Sequence, residues 1–210
     1  MSLSLNEVEA TAKRAARGAG YPWGLAEEAA KATRWLCARN IDGCAALADL
    51  LAQIDGSDVT DWAPGPDGEI WESHAGTLCP LVTGAVISDR AVDLRNVEFQ
   101  TGRVAVPILL LPFAALAAQQ LGASVTIAWQ GTVATTDGDR LSIDGAPSDA
   151  AERITVRTGG EISHPMQVCT RADPKPGAIE TLNRFSGRTY APATEESRLR
   201  GAGAGLSDND

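Results

Sequence analysis

The first quarter of the chain repeats apolar residues at intervals of three and four, which is the period of an amphipathic helix. Ser4 and Glu7 form a capping-box pattern that begins the first helix, and Gly18 and Gly20 end it. The same period predicts two further helices within residues 24–54. Because short connections favour antiparallel neighbours, we expect these helices to pack together as one helical subdomain.

The pattern changes in the second half of the chain to short apolar runs divided by glycines and Asp-Gly pairs. Residues 104–111 predict a buried strand, residues 113–121 a helix and residues 124–129 a second strand, which together make one β-α-β unit. Apolar and polar residues alternate over residues 92–99, and this pattern predicts another strand. Short meandering strands are expected at residues 132–136, 140–143, 153–157 and 166–171, and a short helix at residues 178–185.

Length and composition fit one domain of the α+β class. The chain has 210 residues, of which 44% are apolar, so it can bury a packed core. We expect a single domain over residues 1–200, in which the helical subdomain (1–55) packs on a small mixed β-sheet with helices (69–200). Residues 201–210, which are rich in glycine, are expected to form a mobile tail. The most apolar stretch, residues 104–118, is shorter than the roughly 20 residues that a membrane span needs.

The net charge of −9 argues against binding to nucleic acids or to acidic membranes, since both need clustered basic residues. The charge is uneven: residues 171–200 hold six basic and four acidic side chains, whereas residues 1–170 hold 12 and 21. Guanidinium groups bind carboxylates and phosphates with two parallel hydrogen bonds. We therefore predict that a small anion binds to the arginines of this basic segment, Arg184, Arg188, Arg198 and Arg200. The alternatives are that they pair with the protein's own acidic groups or belong to an arm exchanged between subunits.

The chain has two histidines, and each stands five residues before a cysteine. A Cys₂His₂ zinc site would use both pairs, His74 with Cys79 and His164 with Cys169. Residues five apart point to opposite faces of a strand, so we favour thiols of the core beside hydrogen-bonded histidines, with no metal and no cofactor. A histidine acting as acid or base is the alternative, and the candidate catalytic residues are His74, His164 and Tyr190. Because no apolar leader precedes the four cysteines, we expect reduced, mostly buried thiols in a cytoplasmic protein.

Glycines and tryptophans mark the predicted turns. The spacing Gly18-x-Gly20-x-x-x-Gly24 occurs in some nucleotide-binding loops, but here it follows a helix rather than a strand. We therefore expect a plain connection between two helices. Three tryptophans in predicted loops are expected to anchor those loops to the core, or else to line a pocket or an interface. They are Trp23, Trp62 and Trp71.

Two sets of residues carry a family resemblance. The first set is Ser4–Glu7, Lys13–Gly20, Trp23–Glu28, Lys31 and Arg34–Leu36. The second set is Tyr190, Pro192, Glu195–Arg198 and Gly201–Gly205. With these residues the chain resembles, over nearly its full length, a family of uncharacterised conserved bacterial proteins that is defined as a domain of unknown function. The resemblance implies a cytoplasmic bacterial protein and implies no reaction, cofactor or site residue.

Two classes of function remain open. In the first, the protein is a metabolic enzyme or a ligand-binding domain for a small anionic metabolite, such as an amino or carboxylic acid. The four arginines would hold the anion, Tyr190 would orient it, and His74 or His164 would move a proton. In the second, it is a non-catalytic accessory protein whose alanine-rich helices and loop tryptophans form a homodimer or bind another protein.

Overall fold

The computed structural model describes residues 2–65 and 68–190. These residues form six α-helices and ten strands, together with short 3₁₀ segments. The helices are α1 (Leu5–Gly18), α2 (Trp23–Cys37), α3 (Gly43–Ile54), α4 (Pro80–Asp89), α5 (Leu111–Leu121) and α6 (Pro176–Gly187). The strands are β1 (Leu3–Ser4), β2 (Ile70–Trp71), β3 (Phe99–Thr101), β4 (Val104–Ala105), β5 (Val125–Trp129), β6 (Thr132–Thr136), β7 (Leu141–Asp144), β8 (Ala150–Ala151), β9 (Ile154–Thr158) and β10 (Arg171–Ala172).

The predicted N-terminal helical layer is confirmed, and α1 begins with the predicted capping box. The Ser4 hydroxyl accepts a hydrogen bond from the Glu7 amide at 3.2 Å, and the Glu7 carboxylate accepts one from the Ser4 amide at 2.7 Å. The buried faces of α1 and α2 consist mostly of alanine, so the two helices approach closely. Helix α6 packs against α1 and α3, and its Phe185 is fully buried there. The two ends of the described chain therefore meet in one helical layer.

A six-stranded mixed sheet forms the second layer. Its strand order is β2-β3-β9-β5-β6-β7. Strands β5, β6 and β7 form an antiparallel meander, in which β6 and β7 are two of the predicted meandering strands. The strand predicted at residues 153–157 is β9, which returns to lie between β5 and β3. Helix α5 packs against β5 and β6 and joins this sheet to the helical layer through α2 and α4. The buried apolar residues of helices and sheet form one cluster, and the predicted α+β class is confirmed.

The β-α-β unit predicted over residues 104–129 is wrong in its position. Strand β4 pairs with β8 in a separate antiparallel ladder, and residues 107–110 form a 3₁₀ helix that leads into α5. The chain leaves the strand at Val106, whose φ of 43° is left-handed, and Pro107 has no N–H to donate to a ladder. The parallel pair of the main sheet is instead β2 with β3, and α4 lies between them in the sequence.

Two further predicted strands differ from the structure. Residues 91–95 form a 3₁₀ helix, so strand β3 begins only at Phe99 rather than near residue 92. Residues 166–170 are irregular, and β10 begins at Arg171. In both stretches an apolar residue that the predicted strand would bury, Val92 or Val168, remains exposed, so the apolar spacing alone does not require a strand.

The single-domain boundary stays a prediction, and the predicted tail lies outside the described residues. None of the described helices has the length and apolar character that crossing a membrane requires.

Candidate functional site

A cleft of about 750 Å³ lies where the end of α1, the turn between α1 and α2, and the end of α6 meet. We call it the basic cleft, because four of its lining residues are cationic. The lining residues are Ala10, Lys13, Arg14, Arg17, Gly18, Gly20, Trp23, Arg188 and Thr189. Helix α1 buries Val8, Ala12, Ala15 and Ala16 on its opposite face, and this fixes the direction in which its basic side chains project.

Two of the four cations are held by carboxylates at the edge of the cleft. The Lys13 ammonium lies 2.7 Å from the Glu27 carboxylate, and this hydrogen bond lowers the pKa of Glu27. Arg188 binds Asp55 with two parallel hydrogen bonds, Nη1 to Oδ1 at 2.6 Å and Nη2 to Oδ2 at 2.8 Å. The pair raises the pKa of Arg188 and lowers that of Asp55. Arg188 is thus oriented, and three of its five N–H donors make no hydrogen bond to the described residues.

The other two cations, Arg14 and Arg17, have no carboxylate within 4.0 Å among residues 2–65 and 68–190. Arg17 donates one hydrogen bond to the carbonyl of Tyr21, which holds the turn between α1 and α2. A cation in the last turn of a helix is stabilised by the helix dipole, so Arg17 alone does not indicate a ligand. Four cations line this one concave surface, and two of them make no ion pair within residues 2–65 and 68–190, so the surface has a positive potential that favours anions.

Trp23 forms the apolar wall of the basic cleft. It is 63% exposed, which is unusual for so large an apolar side chain. The guanidinium of Arg17 lies 4.7 Å, and the ammonium of Lys13 5.4 Å, from the centre of its indole ring. Trp23 is also the first residue of α2, and no side chain of the described chain caps this helix. The first amides of α2 therefore lie at the edge of the cleft without a side-chain acceptor, as at many anion sites.

The geometry of the cleft depends on the close contact between α1 and α6. Gly18 lies directly against the backbone carbonyl of Phe185, so the ends of the two helices touch. This contact brings Arg188, at the end of α6, beside the cations of α1. Gly20 has a φ of 98°, which lets the chain turn sharply from α1 toward Trp23. The spacing Gly18-x-Gly20-x-x-x-Gly24 is thus a connection between helices, as predicted, and this connection lines the cleft.

One family model matches part of the chain. Residues 3–79 match DUF3726, described as a protein of unknown function. Over residues 3–79 this match confirms the resemblance to a domain of unknown function that the sequence indicated, and it includes the first set of residues that carry the resemblance but not the second. The DUF3726 segment contains α1, α2 and α3, and so it supplies Lys13, Arg14, Arg17 and Trp23 to the basic cleft. No curated protein matches the chain.

Two solved structures share a distant likeness with the chain. The malate dehydrogenase of Pyrococcus horikoshii OT3 is 12% identical, with a TM-score of 0.47 over 69% of this chain and 50% of that one. The malate dehydrogenase of Entamoeba histolytica is 13% identical, with a TM-score of 0.43 over 79% of this chain and 50% of that one. The chain spans half the length of either enzyme. A likeness at these TM-scores does not indicate a shared activity.

Three other depressions of the surface are less suited to an anion. An open groove of about 720 Å³ beside the end of α5 is lined by three carboxylates and one arginine. A pocket of about 460 Å³ beside α3 is lined by three carboxylates and one lysine. A groove of about 250 Å³ between α2 and α5 is mostly apolar. Of these four depressions in the described part of the chain, the basic cleft is the one that is lined by cationic residues and by no acidic residue.

The arginines predicted from the C-terminal charge lie in different places. Arg188 lines the basic cleft. Arg184 is exposed on α6, where its guanidinium lies 5.5 Å from the centre of the Phe185 ring, and it does not line the cleft. Arg198 and Arg200 lie outside the described residues. Their role in ligand binding stays a prediction.

The candidate catalytic residues lie on exposed parts of the chain. Tyr190 is 64% exposed and follows α6 without lining the cleft. His74 and His164 are exposed in two loops, whereas Cys79 is buried and contacts the Tyr21 hydroxyl at 3.2 Å. Burial raises the pKa of the Cys79 thiol. In the described part of the chain, no group of three or more His, Cys, Asp or Glu residues is arranged to hold a metal ion. The catalytic role of these residues stays a prediction.

The sequence did not indicate Lys13, Arg14 and Arg17 as site residues, because the apolar period of α1 defines its buried face and not what its polar face binds. The available signal was the placement of three basic residues within five positions, just before a glycine turn that carries a tryptophan. Trp23 was recognised as a residue that would line a pocket or anchor a loop, and it lines the cleft. Trp71 lies in strand β2 rather than in the predicted loop, and there it is buried and packs on Phe99 with ring centres 4.8 Å apart.

Proposed function

We propose that this protein is a ligand-binding domain and that it holds a small anionic metabolite in the basic cleft. The observation that carries the proposal is a pair of arginines, Arg14 and Arg17, that make no ion pair with any described residue and line the same cleft as the oriented guanidinium of Arg188. The cleft volume of about 750 Å³ lies within the range of small-molecule sites, roughly 300–1,000 Å³. The four free cysteines support a reducing compartment, and we propose the cytoplasm.

Binding rather than catalysis fits the chemistry of the lining. General acid–base or nucleophilic catalysis needs a carboxylate, imidazole, thiol or activated hydroxyl within reach of the ligand. The lining of the described cleft offers guanidinium groups, an ammonium group, an indole and the hydroxyl of Thr189. These groups attract and orient an anion, and the Thr189 hydroxyl donates its hydrogen bond to the Ser186 carbonyl rather than to a base among the described lining residues. The proposed activity is therefore recognition of the ligand.

Replacing Arg14 with glutamine is expected to weaken anion binding about tenfold, because one charge-assisted hydrogen bond is lost. Arg14 has no intramolecular ion pair among the described residues, so the substitution leaves the fold intact. Binding is measured by calorimetric titration of the purified chain with inorganic phosphate and with citrate at low salt. Raising the phosphate or citrate concentration to the millimolar range is enough to detect binding at an anion site of ordinary affinity.

The matched control is Arg184→Gln, which removes the same charge from an exposed side chain that does not line the cleft. We expect the control to change the dissociation constants less than about twofold, through long-range electrostatics alone. If neither anion binds the wild-type chain, or if both variants weaken binding equally, the cleft is not the anion site.

A further inference from the structure

We infer that the natural ligand of the basic cleft is a phosphate monoester that carries a planar ring, as a nucleoside monophosphate does. This inference rests on the proposed function, because it assumes an anion in the same cleft. It adds the type of anion and a second chemical group that the cleft recognises. Three features of the cleft carry it: the residual charge, the donor arrangement and the exposed indole.

The residual charge of the cleft matches a doubly charged anion. Among the described residues, four cationic side chains line the cleft and two of them pair with carboxylates, which leaves a residual charge of +2 on these residues. A carboxylate neutralises one of these charges, whereas a phosphate monoester carries about −1.5 to −2 at pH 7. A phosphate therefore neutralises the cleft where a single carboxylate leaves it positive.

The donors of the cleft suit three oxygen acceptors arranged around one phosphorus. Arg14 has no intramolecular partner among the described residues, and Arg17 uses one donor for the Tyr21 carbonyl. Both guanidinium groups present forked N–H donors that match two phosphate oxygens. The first amides of α2 lie at the cleft edge without a side-chain acceptor and add the type of donor that helix N-termini offer to phosphates.

The exposed indole of Trp23 gives the cleft a second recognition element. The guanidinium of Arg17 and the ammonium of Lys13 lie over this ring, but it is still 63% exposed, and inorganic phosphate or a sugar phosphate would leave that exposed part in contact with water. A flat aromatic ring stacks on an indole face with little dependence on its exact substituents. A phosphate held by Arg17 therefore carries any attached ring to within reach of Trp23. The cleft volume of about 750 Å³ accommodates both parts of such a ligand.

Four probes separate the two parts of the ligand: adenosine 5′-monophosphate, ribose 5-phosphate, adenosine and inorganic phosphate. Each is titrated calorimetrically into the wild-type chain and into Trp23→Ala, Trp23→Phe, Arg14→Gln and Arg184→Gln. We expect the wild type to bind the nucleotide about tenfold more tightly than ribose 5-phosphate, because only the nucleotide stacks on Trp23. Trp23→Ala should bring this ratio close to one, and Trp23→Phe should keep part of it. Arg14→Gln should weaken both phosphates in parallel, and Arg184→Gln should change neither.

The outcomes separate this inference from the proposed function. Equal affinities of the wild type for the nucleotide and for ribose 5-phosphate, with both weakened by Arg14→Gln, would overturn the ring requirement and leave an anion site. Adenosine binding as tightly as its monophosphate would overturn the phosphate requirement. Binding of none of the four probes would overturn both proposals. Because Trp23 is largely exposed, a thermal unfolding curve close to that of the wild type is expected for both of its variants.

Discussion

Replacing Gly18 with alanine is expected to destabilise the protein by about 3 kcal/mol, at the upper end of the range for overpacking, because the added methyl group meets backbone rather than a side chain. A Cβ at this position would lie 1.8 Å from the carbonyl oxygen of Phe185 and 2.7 Å from its carbonyl carbon. Neither atom can rotate away, and Phe185 itself is fully buried. Helix α6 must therefore move away from α1. Urea unfolding followed by circular dichroism measures the change in the free energy of unfolding.

Gly24→Ala is the matched control for this prediction. Gly24 lies in the first turn of α2, and a Cβ there would meet no heavy atom within 4 Å. We expect its free energy of unfolding to stay within about 0.5 kcal/mol of the wild type, and on the stabilising side, because alanine favours the helix. The same stability for both variants would show that α1 and α6 do not touch at Gly18. Since Arg188 follows α6, the Gly18 variant should also lose anion affinity, whereas the Gly24 variant should retain it.

Replacing Phe113 with alanine is expected to cost about 3–5 kcal/mol, because it empties a buried space between α4 and α5. The Phe113 ring is 1% exposed and lies against Gly84, where a Cβ would come within 2.2 Å of its Cδ2 atom. Gly84→Ala alone should cost about 1–3 kcal/mol by overpacking. Chemical denaturation of both single variants measures these values.

The double variant of Phe113 and Gly84 tests whether the two effects share one contact. The alanine methyl at residue 84 occupies part of the space that the missing ring leaves, so the double variant should be more stable than the sum of the two single effects predicts. We expect a coupling free energy of about 1–2 kcal/mol, as found for residues in direct contact. Additive effects within about 0.5 kcal/mol would contradict the packing of Phe113 on Gly84.

Local signals made the N-terminal helices and the meander predictable. The capping box of Ser4 and Glu7 acts within four residues, and it appears in the structure with both of its hydrogen bonds. Strand β6 has the predicted bounds, residues 132–136, because a glycine precedes it and an Asp-Gly turn follows it. In both cases the residues that decide the structure are neighbours in the sequence.

Elements that depend on distant partners were not predictable. Strand β4 pairs with residues 150–151, and no property of residues 104–111 indicates that partner.

Helix α4 was not predictable for a local reason. Its buried residues include Leu81, Thr83 and Ile87 on different sides, so it lacks a clear polar face. It also contains Gly84 and several β-branched residues, which lower helix propensity.

The sequence predicted the chemistry of the candidate site but not most of the residues that line it. The sequence indicated an anion site from a basic segment near the C-terminus, and Arg188 of that segment lines the basic cleft. Its cationic neighbours Lys13, Arg14 and Arg17 come from the other end of the described chain. Only the packing of α6 on α1 brings these groups together, and that contact depends on a glycine whose role the sequence does not reveal.

The location of the bound anion tests the central claim most directly. A titration of the ¹⁵N-labelled chain with inorganic phosphate, followed by amide chemical shifts, maps the site residue by residue. We predict that the largest shifts fall on Gly18, Gly20, Trp23 and Gly24, with smaller ones at Arg188, and that Arg14→Gln reduces them all. Shifts confined to other surfaces, such as the groove between α2 and α5, or no shifts at millimolar phosphate, would contradict an anion site in the basic cleft.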